Sequence, residues 1–256
     1  MKDKKPETKD FLMEICSEEL PAGYITPALN QLHSAVSAAL SGDRLKSNAI
    51  RSFATPVRLV ILVEGLSPRQ ESQREKISGP SKEAAFDKDG RPTQACLGFL
   101  KSRGAEIKDI KIENTQRGEY IFIERAKESL PAKKVLSDSL PKIIASLRFP
   151  KAMRWETGGV KFARPVRSIL ALYGDEPVAF KFGSLASSDS TRLPRYESAA
   201  MEPVKIKSTG DYFLKLKKYG VILDQEARRK KILAILKDSA RSEGASVEFN
   251  QALLGT

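Results

Sequence analysis

Residues 57–65, Val-Arg-Leu-Val-Ile-Leu-Val-Glu-Gly, commit this chain to a β-sheet. The segment is rich in β-branched side chains, which lose rotamer freedom in a helix and pack well on a pleated surface. A strand over 49–53 precedes it across Ala54-Thr55-Pro56, and residues 11–16, Phe-Leu-Met-Glu-Ile-Cys, read as another. Between them lies a punctuated helix. Thr26 is its expected N-cap, Pro27 suits the first helical position, Leu29, Leu32, Val36 and Leu40 form one apolar stripe, and Gly42 ends it. His33, the single histidine, stands beside that stripe with no second His or Cys near it, and reads as a surface or packing residue.

Further along, strands and helices alternate without a βαβ rhythm. Gly79-Pro80 breaks the chain, a short helix over 82–86 and a Lys88-Asp89-Gly90 turn follow, and a helix near 93–103 ends at Gly104 with Leu97 and Leu100 as its apolar side. Residues 110–114 and 119–125 form a hairpin about Gln116-Arg117-Gly118. Pro131 opens a helix to about Leu147 that Pro141 should split or kink. Arg167–Tyr173 and Val178–Phe182 read as strands that pair antiparallel across Gly174-Asp175-Glu176-Pro177. From Thr209 the pattern is helical: one helix to about Tyr219, a stop at Gly220, then a second helix capped by Asp224. The expected class is α+β, a mainly antiparallel or mixed sheet with packed helices and a helical C-terminal segment. A flexible tail over 1–10, a core domain over 11–205 and a helical segment over 206–256 are the expected divisions. The last of these opens a new apolar element at Ala252-Leu-Leu-Gly-Thr256, as a fragment of a longer protein would.

The 256 residues are 41% hydrophobic and 30% charged, the balance of a soluble globular protein. No apolar run approaches the roughly 20 residues that span a bilayer, and the first ten lack a signal-peptide core, so a cytoplasmic location is expected. Cys16 and Cys96 stand in apolar surroundings and suit reduced core thiols.

A net charge of +12 favours an acidic partner, nucleic acid before anionic membrane. The excess is concentrated in two places. Residues 205–241 hold eleven cations against four acids, a pattern that a solvated helix face also produces. Residues 148–167 hold six cations against the single acid Glu156, spaced among Phe149, Met153, Trp155, Phe162 and Pro165. That interleaving lets Lys and Arg contact phosphates while flat side chains pack or stack on bases. A Gly-Gly turn between two strands, with Trp155 and Phe162 in the core and the cations merely solvated, accounts for the same residues.

Catalytic and metal-binding motifs are absent. There is no phosphate-binding Gly-x-x-x-x-Gly-Lys-Ser/Thr loop, no dinucleotide fingerprint, no His-Glu-x-x-His and no Gly-x-Ser-x-Gly, and one histidine leaves no Ser/His or Cys/His pair. Glu18-Glu19 could hold a cation or move a proton, but acids ahead of the 26–40 helix also favour the positive end of its dipole.

Several collinear motifs then carry a resemblance: Leu12-Met-Glu-Ile-Cys-Ser-Glu-Glu-Leu-Pro21, Phe53-Ala-Thr-Pro-Val-Arg-Leu59, Gly79-Pro80 with Ala84-Ala-Phe-Asp-Lys-Asp-Gly90, Gly118-Glu-Tyr120, Phe149-Pro-Lys-Ala-Met-Arg-Trp155, Phe162-Ala-Arg-Pro-Val-Arg167, Leu172-Tyr-Gly-Asp175 and Gly220-Val-Ile-Leu-Asp224. From about residue 11 the chain resembles the N-terminal portion of the beta subunit of bacterial glycyl-tRNA synthetase. The resemblance implies a part in attaching glycine to tRNA(Gly) within an alpha2beta2 tetramer. In that family the alpha subunit binds ATP and Mg and activates glycine, so this chain needs no cofactor or catalytic residue of its own. Two departures stand out. Thr191-Arg-Leu-Pro-Arg-Tyr196 replaces the family's Thr-x-Gly-His-Arg-Phe, and Cys16 replaces a glycine.

The candidate RNA contacts are Lys151, Arg154, Arg164 and Arg167, then Arg192 and Arg195, then Arg58. If the segment docks the alpha subunit instead, Phe149, Met153 and Trp155 are its anchors. A tRNA-editing hydrolase and an RNA chaperone are the remaining readings, the first opposed by the lack of a water-activating His, Cys or metal cluster.

Overall fold

In the computed structural model, which describes residues 7–156, 158–195 and 198–246, alternation along one strand sets the architecture. Strand β1 (Lys9–Ser17) is followed by helix α1 (Ala22–Gly42), β2 (Ala49–Thr55) and β3 (Arg58–Leu66). Next come β4 (Gln73–Ser81), α2 (Lys82–Ala85), α3 (Gln94–Arg103), β5 (Ile110–Thr115), β6 (Gly118–Lys127) and α4 (Ala132–Ser146). The remainder is β7 (Met153–Arg154), β8 (Lys161–Phe162), β9 (Val166–Tyr173), β10 (Glu176–Pro177), β11 (Lys181–Phe182), β12 (Leu185–Ser188), β13 (Ser190–Arg195), β14 (Ser198–Lys205), α5 (Thr209–Lys218) and α6 (Gln225–Ser242).

Strand β1 lies inside a sheet of order β11-β12-β9-β1-β3-β2, antiparallel to both β3 and β9. Because successive side chains point to opposite faces, its odd and even residues enter different cores. Phe11, Met13 and Ile15 join Leu59, Ile61 and Val63 of β3 under α1 and α4. Leu12 joins Val60, Leu62, Leu170 and Leu172 beneath Tyr212 and Leu216 of α5 and Leu193 of β13. A strand covered on both faces needs a nearly unbroken apolar run, which is what residues 11–16 and 57–65 supply. The sheet is mixed, since β12 runs parallel to β9.

Within the buried part of those runs stand one acid and one base, and they meet. Glu14 and Arg58 are 0% and 2% exposed, with Arg58 Nε 3.1 Å from Glu14 Oε2. The hydroxyl of Thr191 donates to Glu14 Oε1 at 2.6 Å, and that of Tyr212 donates to Oε2 at 2.6 Å. The Arg58 guanidinium also donates to the backbone carbonyl of Arg192. Each member is thus hydrogen-bonded, the condition under which a buried ion pair is tolerated.

Residues 71–129 form a compact unit of their own. An antiparallel sheet of order β4-β6-β5 carries α2 and α3, and Ala85, Cys96, Leu100, Ile121 and Ile123 fill its core. The other unit comprises residues 1–70 and 130–256, so the chain does not divide near residue 205. The reason is packing: α5 buries Tyr212 and Leu216 against the even-numbered face of β1.

Several boundaries differ from the sequence reading, each for a local reason. Lys9 and Asp10 belong to β1, not to a tail. Helix α1 begins at Ala22 behind Pro21, because Leu20 is buried and tied to the Pro56 carbonyl, and Tyr24 N–H bonds the Pro21 carbonyl. Pro27 then falls in the second turn, where the Gly23 carbonyl it leaves unpaired is exposed to water. Arg44, not Gly42, takes the left-handed conformation after this helix, with φ 56°. Gly79-Pro80 does not break the chain. Both lie in β4 at a register shift against β6, a place where a missing N–H costs no ladder bond. The polar sequence of β4 hid an edge strand. On α3 it is Cys96 that is buried with Leu100, while Leu97 is 41% exposed. Helix α4 runs through Pro141 without a split. Val178–Phe182 is not one strand: after the turn only Glu176–Pro177 pairs as a strand with β9, Val178 N–H adds one bond to the Ala171 carbonyl, and Phe180 N–H bonds the Ser187 hydroxyl instead.

Two stability measurements follow. Arg58→Ala strands the Glu14 carboxylate and should cost about 3–5 kcal/mol in urea unfolding, whereas Tyr212→Phe, which removes one charge-assisted hydrogen bond, should cost about 1.5–3 kcal/mol. In the 71–129 unit a Cβ on Gly79 would lie 2.8 Å from both Ile121 Cγ1 and Phe99 Cε1. Gly79→Ala should therefore destabilise by about 1–3 kcal/mol, with amide exchange accelerated within 71–129 and unchanged in β1.

Candidate functional site

Residues 148–167 begin where Gln31 of α1 clamps the backbone of Arg148. Its side-chain amide accepts from Arg148 N–H at 2.8 Å and donates to Arg148 O at 3.0 Å. Phe149 then turns inward, with its ring centroid 4.8 Å from that of Phe162 in an edge contact and 6.2 Å from that of Tyr24. Strands β7 and β8 pair Met153 with Phe162 and Arg154 with Lys161, and Phe162 is buried at the end of the pair. Glu156 fixes the far side by accepting the Ser184 N–H at 2.6 Å. Gly183, at φ 61°, lies so close to the Glu156 carboxylate that a Cβ there would displace it.

This framework turns the cations outward. Arg148, Lys151, Arg154, Lys161, Arg164 and Arg167 are all exposed. Lys151, Arg154 and Arg164 have no ion pair among the described residues. Arg167 pairs with Glu18, but the two side chains are 55% and 42% exposed, so the pair is worth no more than about 1 kcal/mol and exchanges readily for another anion. Glu18 thus acts on Arg167, and the first turn of α1 contains no acid.

The remaining candidates separate. Arg58 is held by Glu14 in the core and cannot reach a phosphate, which corrects its assignment as an RNA contact. Arg192 is half-buried. The backbone of Arg195 closes β13, opposite Ser198, and Tyr196 lies outside the described residues. Of the candidate anchors, Phe149 and Trp155 are half-buried against the core, and Met153 is 45% exposed. Trp155 Nε1 is buried without a hydrogen-bond partner among the described residues, a cost of about 1–3 kcal/mol.

Trp155, Arg167 and Arg192 come together on a groove of about 600 Å³ whose other walls include Glu18, Pro165 and Leu185. Cys16 and Ser17, at the end of β1, form its floor. A larger groove of about 760 Å³ lies between α1, β2 and α6, but its Arg228 is committed to the carbonyls of Ala54 and Ile222. Among the described residues no group of three or more His, Cys, Asp or Glu is placed to hold a metal ion, and no helix is long and apolar enough to cross a membrane.

Residues 11–256 match the family described as glycyl-tRNA synthetase beta subunit. The chain belongs to that family. A glycine–tRNA ligase beta subunit of Desulforamulus reducens is 36% identical over 246 residues, covering 96% of this chain and 35% of that protein. The corresponding subunit of Clostridioides difficile is 38% identical over 244 residues, covering 95% and 35%. The chain therefore spans 35% of the length of these beta subunits. Leu193, one of the two residues read as a departure in the sequence, is buried in the core under α5 and serves packing.

The buried network itself was not anticipated, although its signal was present: a lone acid in one apolar run and a lone base in another. It reaches the groove through Cys16. Burial, reinforced by the Glu14 carboxylate, pushes the Cys16 thiol up to about 11. The folded state thus disfavours thiolate, so its stability is full below the unfolded thiol's pKa and declines as pH rises from about 9 toward 11. The loss should amount to roughly 2–3 kcal/mol across that window. Urea midpoints at pH 8 and pH 10.5 will measure it, and Cys16→Ala should remove most of the difference.

Proposed function

We propose that this chain is the part of a glycine–tRNA ligase beta subunit that holds tRNA through residues 148–167 while the alpha subunit carries out the chemistry. The observation that carries this reading is the outward display of Lys151, Arg154 and Arg164, without an ion pair among the described residues, on a segment whose Phe149 and Phe162 are turned inward. In a member of this family such a display suits the phosphate backbone of tRNA(Gly). ATP-dependent attachment of glycine then belongs to an assembly of alpha and beta subunits, with an alpha2beta2 stoichiometry and with ATP and Mg on the alpha side. Met153, the exposed large hydrophobic side chain of the segment, is the contact best suited to the alpha subunit.

The division of labour makes physical sense. Phosphate contacts position a nucleic acid without reading its bases, and lysine and arginine held on a backbone fixed by Gln31, Phe162 and Glu156 suit that task. The triple variant Lys151→Ala/Arg154→Ala/Arg164→Ala should bind tRNA more weakly at every salt concentration. Its log affinity should fall with log salt by about three units of slope less than the parent, roughly one per phosphate contact. Filter binding at two or more salt concentrations checks this; unchanged affinity and slope in a folded triple variant would remove the segment from the tRNA surface.

A further inference from the structure

We propose that the groove beside Trp155 holds one unpaired nucleotide of the bound RNA, its base stacked on the indole and its flanking phosphates on Arg167 and Arg192. The inference rests on the tRNA reading above and names the part of the RNA that this site takes.

Size comes first. At about 600 Å³ the groove falls within the roughly 300–1,000 Å³ of small-ligand sites, room for one nucleotide and not for a helix. Its walls offer a flat aromatic ring, the apolar faces of Pro165 and Leu185, and two guanidinium side chains. That combination of stacking surface and cationic rim is how proteins hold single-stranded nucleic acid. The one carboxylate on the wall, Glu18, is engaged with Arg167 in a half-exposed pair that a phosphate can replace. Lys151, Arg154 and Arg164 in the same segment are exposed and add to the positive charge of this surface.

The indole itself is the second argument. For packing alone, Phe or Leu would fill this position without burying an N–H that has no acceptor among the described residues. Trp brings the largest π-face of any side chain. A base paired in a duplex has both faces occupied by its neighbours, so only an unpaired one can use that face. Stacking of this kind is tolerant of base identity, so little sequence preference is expected.

Trp155 is the only tryptophan in the chain, so its emission reports on the groove directly. A single-stranded RNA hexamer titrated into the full chain at low salt should quench that emission saturably, while the same hexamer annealed to its complement leaves it unchanged. The Lys151→Ala/Arg154→Ala/Arg164→Ala variant should still reach full quenching at higher hexamer concentration, which separates this proposal from the phosphate surface that the triple variant tests. By anisotropy of a labelled hexamer, Trp155→Phe should bind within about threefold of the parent and Trp155→Leu at least about tenfold more weakly. Emission that does not respond to hexamer, equal quenching by the duplex, or unaltered affinity in Trp155→Leu would overturn the assignment. So would quenching by the alpha subunit alone with no response to RNA, which would make the groove a protein interface. Should Trp155→Leu fail to fold, the emission titration of the unsubstituted chain decides by itself.

Discussion

The buried ion pair between Glu14 and Arg58 is the constraint around which the larger unit is arranged. Desolvating two charges costs several kcal/mol per ion, and their attraction offsets that only with good geometry and every remaining hydrogen-bonding site filled. The filling comes from far along the chain: a hydroxyl of β13, a phenol of α5 and a carbonyl of β13. The second face of the sheet can therefore close only when β13 and α5 are in place. A purely apolar closure would tolerate sliding of α5 over β1, whereas the Tyr212 and Thr191 hydrogen bonds specify one register.

Packing also decides which cations reach the surface. Arg58 is withdrawn from the surface, and the cations of 148–167 are pushed to it. Phe149, Phe162 and Trp155 fasten that segment to the first core from one side, and Glu156 pins it to the 183–184 turn from the other. With its backbone and aromatics fixed, the side chains left over are cationic, and the surface they make is rigid rather than a loose basic tail.

The strands of the central sheet were legible because burial on two faces demands apolar, β-branched runs, as in residues 57–65. The stripe of α1 and the left-handed Gly104 were legible for equally local reasons. What sequence could not disclose was set by tertiary partners. Strand β4 has Ile77 as its one large apolar side chain and is a strand because β6 pairs with it. Helix α1 starts five residues early because Leu20 is anchored by Pro56. In the site, exposure of a cation between apolar neighbours could be guessed. Arg58 shows the limit, since a period-two strand says only that a residue faces one side, not whether that side is covered. Only the matching acid in β1 distinguishes a buried partner from a surface cation, and the matching requires knowing that β1 and β3 are neighbours.

Glu14 and Tyr212 touch across 198 positions of the chain, and β1 finds its neighbour β9 only after some 150 intervening residues. During synthesis from the N-terminus, β1, β2 and β3 can form a three-stranded sheet with α1 on one face, but the face that carries Glu14 and Arg58 must wait. Until residue 212 has left the ribosome, two charged side chains and the apolar strip of Leu12, Val60 and Leu62 stay open to water. The 71–129 unit, local in its pairing, can finish folding in that interval. The nascent chain thus carries a period of exposure built into its order of elements, and the closing of α5 over Glu14 ends it.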